Sequence, residues 1–124
     1  NMDVMIPDLP GFDTAGALKL LAGNQKLYVN VLKRFHGQYA GSYESLVSTL
    51  LSGDDWEAIQ REAHTIKGLA GTIGHPQLQE KAMELEMSIK DKGSVDEDEV
   101  RTKAKAMLAV FSDVLCQLGA AFAE

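Results

Sequence analysis

Apolar residues recur three and four positions apart along almost the whole chain, and no segment alternates between apolar and polar residues as a strand does. This period predicts helices throughout. The first is short and spans residues 13–22, and the Gly23-Asn24 pair ends it and begins the next. A long helix is then predicted over residues 24–51, because its apolar residues keep the helical spacing and only Gly37 and Gly41 interrupt them.

Capping signals and a proline mark the starts of three further long helices. Asp54 followed by Glu57 resembles a capping box that opens a helix over residues 54–74. A Gly-His-Pro break at residues 74–76 comes next, and the third long helix is predicted to run from there to Gly93. Ser94 with Glu97 resembles a second capping box, which opens the fourth long helix.

Short connections make consecutive long helices antiparallel, so the expected fold is all-α, an up-down-up-down four-helix bundle with a short N-terminal helix across one end. A chain of 124 residues that is 45% hydrophobic can bury one core. We expect residues 12–124 to form this domain. Residues 1–11 are expected to be the end of a linker or a remnant of expression, because Asn1 precedes Met2 and prolines follow.

The charge and the cysteine content narrow the function classes. A net charge of −6 without a dense Lys/Arg cluster argues against a nucleic-acid partner, and no basic-then-apolar leader or membrane-length apolar stretch is evident, so we expect a soluble domain. Cys116 has no internal partner, which suits a reducing compartment. Cys116 is predicted to be a small core residue, and Met83, Met87 and Met107 to be core filling rather than a cofactor pocket.

His64 stands out in the helical projection of residues 54–74. The apolar residues of this segment form one stripe, and His64 lies opposite the centre of that stripe, so its imidazole is predicted to face outward. An exposed histidine with a lysine three residues later is common on helix surfaces and has no function in most cases. Two glycines lie on the same face, and each lowers the stability of the helix by about 1 kcal/mol relative to alanine. Their presence suggests that another molecule approaches closely there. The residues predicted to share this face are Gln60, Arg61, Lys67, Gly68 and Gly71.

The other two histidines, His36 and His75, are predicted to be surface residues, since neither has a glycine-cleared face. A metal site formed by His64, His75 and Glu86 is conceivable, but no HExxH motif, paired cysteine or Glu-x-x-His repeat supports it. We therefore expect no metal site.

Phosphoryl transfer is a chemistry that these residues suit. A neutral imidazole nitrogen attacks phosphorus readily and forms a phosphoramidate that can pass its phosphoryl group onward. Lys67, one turn from His64, can place its ammonium near the phosphoryl oxygens. Glu86 lies about as far beyond the Gly-His-Pro turn as His64 lies before it, so it is expected to reach the level of the ring and orient it. The alternative for Glu86 is a solvated residue paired with Lys90 at i+4.

The run His-Thr-Ile-Lys-Gly over residues 64–68 resembles the His-x-x-Lys-Gly hallmark of the histidine-containing phosphotransfer (HPt) domains of multistep phosphorelays. The similarity extends over roughly residues 9–91, through a lead-in at residues 9–13 and 28–35. The resemblance implies that His64 is the phosphoacceptor, with Lys67 stabilising the phosphoryl charge and Glu86 at a position where relatives carry Gln or Glu. It implies docking of aspartate-phosphorylated response-regulator receiver domains, with residues of the first long helix contributing together with Gln60, Arg61, Gly68 and Gly71.

No phosphate-binding loop, nucleotide lid or acidic metal triad is found, so the domain is not expected to bind ATP or phosphorylate itself. We expect no cofactor, with Mg²⁺ carried only by the partner receiver. The resemblance favours a cytoplasmic monomer, either free-standing or the cytoplasmic C-terminal domain of a membrane-bound hybrid sensor kinase. Two alternatives are an interaction module in which His64 is incidental and a metal-binding bundle, and a small hydrolytic enzyme is the least favoured.

Overall fold

The computed structural model describes residues 6–91 and 93–123, so the predicted remnant at the first residues lies outside the described part. Six helices and no strand are found in the described residues, and the predicted all-α class is confirmed. The core lies where α4 packs on α5, α5 on α6, and α2 on both α4 and α6. The helices are α1 (Thr14–Leu20), α2 (Gln25–Ala40), α3 (Tyr43–Ser52), α4 (Trp56–Ile73), α5 (Pro76–Met87) and α6 (Glu97–Ala121).

The first long helix is interrupted, so the prediction of one helix over residues 24–51 is wrong. Helix α2 ends at Ala40, and α3 begins at Tyr43. The Ser42 hydroxyl donates to the Gln38 carbonyl at 3.0 Å. A serine that binds a carbonyl of the preceding turn competes with the helical hydrogen bonds. Gly37 does not break α2, because a glycine only weakens a helix whose apolar face is buried.

The helix starts are close to their predicted positions, but the capping residues differ by one or two. Asp55, not Asp54, caps α4 by accepting from Ala58 N at 3.0 Å. Asp96, not Ser94, caps α6 by accepting from Glu99 N at 3.2 Å. In each case the carboxylate satisfies a donor that the first helical turn leaves unpaired.

The core is apolar, and among the described residues one buried polar contact joins distant helices, in which the Tyr28 hydroxyl donates to the Ile73 carbonyl at 2.7 Å. Burial raises the pKa of Tyr28 to about 12, so this donor keeps its proton. Phe111 of α6 stacks within 5.0 to 6.1 Å of three other rings. The fully buried side chains that are largest include Tyr28, Leu32, Leu50, Ile59, Ile66, Ile73, Leu78, Leu85, Met107, Phe111 and Leu118.

Three residues predicted to be in the core are instead exposed. Met83 and Met87 lie on the outer face of α5, with 41% and 51% of their surface exposed, whereas Met107 is buried as predicted. Cys116 is exposed too, because the inward face of α6 at this level is taken by Val114 and Leu118. Scattered apolar positions fit more than one helical face, and only packing decides between them.

Helix α6 is long and apolar enough to cross a membrane by length and composition alone. The same properties belong to a helix that supplies one side of a core. Seven of its residues are buried against the rest of the described domain: Val100, Ala104, Met107, Leu108, Phe111, Val114 and Leu118.

His75 is buried rather than at the surface, which corrects the prediction. Its exposed fraction is 3%, and its Nδ1 accepts from Leu78 N at 3.1 Å, so it caps α5. Phe12 meets the ring edge-on at 4.8 Å, and the positive φ of Gly11 carries the backbone close past Nε2. Leu9, within the segment predicted as a linker, is also buried. The N-terminal segment therefore covers His75.

Unfolding should become easier in mild acid because of His75. Burial lowers the pKa of His75, partly offset by Asp113, so the folded state holds the ring neutral. The stabilisation is complete above the ordinary histidine pKa of about 6.5 and is lost as the pH falls towards the lowered folded value. We expect denaturant unfolding to show this loss in the wild type but not in His75→Asn, whose side chain can also cap α5. Equal pH slopes for the two proteins would contradict this prediction.

Candidate functional site

The exposed face of α4 carries His64. Five residues of this helix are buried at 0% to 1% exposure and turn the opposite face into the core. The His64 side chain keeps 67% of its surface exposed. The ring is therefore held on a well-anchored helix and faces solvent. The five buried residues are Ile59, Ala63, Ile66, Ala70 and Ile73.

A single carboxylate joins His64 to Lys67. Oε2 of Glu86 lies 2.7 Å from His64 Nδ1, and Oε1 of Glu86 lies 2.7 Å from Lys67 Nζ. Glu86 belongs to α5, which runs back along α4 after the turn at Gly74, a residue with φ of +80° that ends α4. The expectation that Glu86 returns to the level of His64 agrees with this geometry, and the predicted alternative of a pair with Lys90 is not seen among the described contacts.

The contacts of Glu86 indicate which nitrogen of the His64 ring carries a hydrogen. The hydrogen bond from Lys67 lowers the pKa of Glu86, and His64 adds to the effect against the opposing cost of burial. Glu86 is therefore an ionised acceptor near neutral pH, and the hydrogen atom of the short contact belongs to Nδ1 of His64. In the neutral form of the ring, the other nitrogen, Nε2, then has its lone pair free on the solvent side.

The two glycines of this face have different surroundings. A Cβ added at Gly68 meets nothing within 4 Å, so Gly68 leaves open space one turn from His64. A Cβ added at Gly71 lies 2.8 Å from Nε2 of Gln79, so Gly71 accommodates a side chain of α5. Only Gly68 therefore clears the outer surface beside the ring.

Gln60 and Arg61 also have different environments. Gln60 Nε2 donates to the Ile89 carbonyl at 2.6 Å and so ties α4 to the segment that follows α5. Arg61 is exposed and lies 3.9 Å from Glu57 on its own helix. Arg61 therefore has its charged group on the outer surface, where a partner could reach it, whereas the Gln60 amide is already used within the domain.

Two features of the site were not predicted from the sequence. Gln79 faces Gly71 in the register in which Glu86 faces His64, and this register was the only signal available for it. An apolar cavity of about 190 Å³ lies between α2 and α4. Its lining residues are Val31, Arg34, Phe35, Gln38, Leu69, Thr72 and Ile73.

The structure does not bring together the three groups of the alternative metal site. His75 follows α4 at its far end, about 15 Å along the helix axis from His64, and its Nδ1 caps α5. Within the described residues, no group of three or more His, Cys, Asp or Glu side chains has the arrangement of a metal site.

The described structure is an all-helical domain that presents a carboxylate-bound histidine on an open face. The family model of the Hpt domain matches residues 34–115, which is more than half of the chain. The chain therefore belongs to the Hpt domain family, whose members carry phosphoryl groups in phosphorelays and interact with receiver domains. No curated protein and no solved structure matches the chain.

Proposed function

We propose that this protein accepts a phosphoryl group on His64 from the phosphoaspartate of one receiver domain and passes it to the aspartate of another. The observation that carries the proposal is the binding of Nδ1 by Glu86, which leaves Nε2 of His64 free on an exposed face. In this proposal His64 is the reacting group, and the charges of Lys67 and Glu86 support it.

The transfer step follows from this tautomer. The lone pair of Nε2 attacks phosphorus, the bond from phosphorus to the aspartate oxygen breaks, and its electron pair stays on the carboxylate. The ring becomes a phosphoimidazolium that keeps its hydrogen on Nδ1 against Glu86. No proton has to be moved in either direction, so the same groups can serve the forward and the reverse transfer.

Lys67 is proposed to compensate the phosphoryl charge. Lys67 is one turn from His64 and its side chain is 31% exposed, so its ammonium can turn from Glu86 towards the phosphoryl oxygens. Catalysis of phosphoryl transfer consists mainly of positioning and charge compensation. The domain itself would then need no cofactor, and Mg²⁺ would be bound by the receiver.

The receiver is proposed to dock over the open surface at Gly68, with Arg61 at its edge. The apolar cavity between α2 and α4 continues this face, in agreement with the expected contribution of the first long helix. Gln60 and Gly71 then act indirectly, since Gln60 binds the segment that follows α5 and Gly71 leaves room for Gln79 of α5.

We further propose that the domain is a cytoplasmic monomer without autokinase activity, free-standing or part of a hybrid kinase. The packing of α4 on α5 and of α5 on α6 supports an up-down-up-down order of the long helices. Carrier activity without a kinase step agrees with the family to which the chain belongs.

The test is transfer from a panel of ³²P-labelled receiver domains to the purified protein. We expect at least one receiver to lose its label to a product that is labile in acid and stable in alkali, as a phosphohistidine is. Label that never leaves any receiver would favour the alternative function, an interaction module in which His64 is incidental.

A further inference from the structure

We propose that the negative charge of Glu86, and not only its hydrogen bond, keeps Nδ1 of phosphorylated His64 protonated, so that the phosphoryl group departs from a cationic ring. The inference rests on the proposed function and assigns to Glu86 control over release of the phosphoryl group. Orientation alone would need only an uncharged acceptor such as glutamine.

The chemistry of release makes the proton decisive. When a receiver carboxylate attacks phosphorus, the bond from phosphorus to Nε2 breaks and its electron pair stays on Nε2. If Nδ1 carries a hydrogen, the leaving group is neutral imidazole. If Nδ1 has lost it, the leaving group is imidazolate, which is far more basic and departs far more slowly.

The charges around the ring point to Glu86 as the group that retains this proton. Arg61 and Lys67 are the cations of α4 near the ring, and Glu57 lies two turns before it, where it pairs with Arg61 at 3.9 Å. Arg34 of α2 lies farther along, beside the apolar cavity. Glu86 of α5 is the only carboxylate in contact with the ring among the described residues.

Phosphorylation redistributes these contacts. In the resting state Lys67 and His64 share the Glu86 carboxylate, each at 2.7 Å. A phosphoryl group near neutral pH carries close to two negative charges and attracts Lys67. The carboxylate is then left with the Nδ1 hydrogen as its partner. Lys67 pairs with the phosphoryl group and Glu86 pairs with the cationic ring, whereas in the resting state both partners share Glu86.

The experiment compares the wild type with Glu86→Gln after chemical phosphorylation by phosphoramidate, a donor that needs no receiver. The rate of transfer to a receiver is measured over about pH 6 to 9, and the protonation of Nδ1 is followed by ¹⁵N NMR. We expect the pH at which the rate falls by half to be lower in Glu86→Gln by about one pH unit or more. The two rates should converge in acid, where both rings are protonated.

Glu84→Gln is the matched control, because Glu84 is on the same helix but pairs with Lys81 and Lys103. Its pH profile should coincide with that of the wild type. A Glu86→Gln rate that is reduced by the same factor at every pH, or an unchanged Nδ1 titration, would overturn the inference and leave Glu86 a positioning residue. The NMR measurement decides this even if no receiver transfers its label, an outcome that would count against the proposed function alone.

Discussion

The His64→Gln variant is expected to accept no phosphoryl group from a receiver that phosphorylates the wild type. An amide nitrogen has no lone pair available for attack on phosphorus, so the rate should fall by at least about 10³-fold. Folding should be unchanged within about 0.5 kcal/mol, because 67% of the His64 side chain is exposed and the core lies on the other side of α4. The measurement is the initial rate of label transfer, with thermal unfolding measured in parallel.

His36→Gln provides the matched control for this variant. His36 lies in α2, near Gly119 of α6, away from the trio of His64, Lys67 and Glu86. Its replacement should leave transfer at the wild-type rate. Substantial transfer to His64→Gln, or a loss of transfer in His36→Gln, would contradict the assignment of His64 as the phosphoacceptor.

The second large effect is expected from Gly68→Gln. A side chain at this position extends into open space, so it meets nothing in the domain but occupies the surface over which a receiver must approach. Misplacing the reacting groups by about 1 Å can lower a reaction rate by about 10²-fold. We expect the rate of transfer from a receiver to fall by at least that factor. Stability should rise by up to about 1 kcal/mol, because a glycine is removed from the middle of a helix.

Two comparisons make this result specific to docking. Phosphoramidate is small, so chemical phosphorylation of Gly68→Gln should proceed at nearly the wild-type rate. Gly71→Ala should alter transfer much less, because its added methyl meets only the flexible end of Gln79. Transfer to Gly68→Gln at the wild-type rate would show that receivers do not approach over this surface.

The helical pattern was sufficient to predict most of the fold. The long apolar stripes predicted the existence of α4, α5 and α6, because each buries one face in the core. The predicted end of the third long helix at Gly93 is wrong, since α5 ends at Met87. The break between α2 and α3 was missed because Gly37 and Gly41 look alike in the sequence. At the break the Ser42 hydroxyl binds the Gln38 carbonyl, a side-chain contact that periodicity does not reveal.

The site was predictable to the extent that it depends on helix geometry. The exposure of His64 follows from the helical projection, and the return of Glu86 to its level follows from the length of the α4–α5 hairpin. The burial of His75 depends on the N-terminal segment that folds over it, a contact between distant parts of the chain. The contact of Gln60 with the Ile89 carbonyl depends on a side-chain conformation, which sequence spacing does not specify.

The most direct test of the central claim is ³¹P and ¹⁵N NMR of the ¹⁵N-labelled protein after phosphorylation by a receiver. We expect phosphorus bonded to Nε2 of His64, with the hydrogen retained on Nδ1, because Glu86 binds Nδ1 and leaves Nε2 free. Phosphorus bonded to Nδ1 of His64, or to another residue, would contradict the proposed transfer through Nε2.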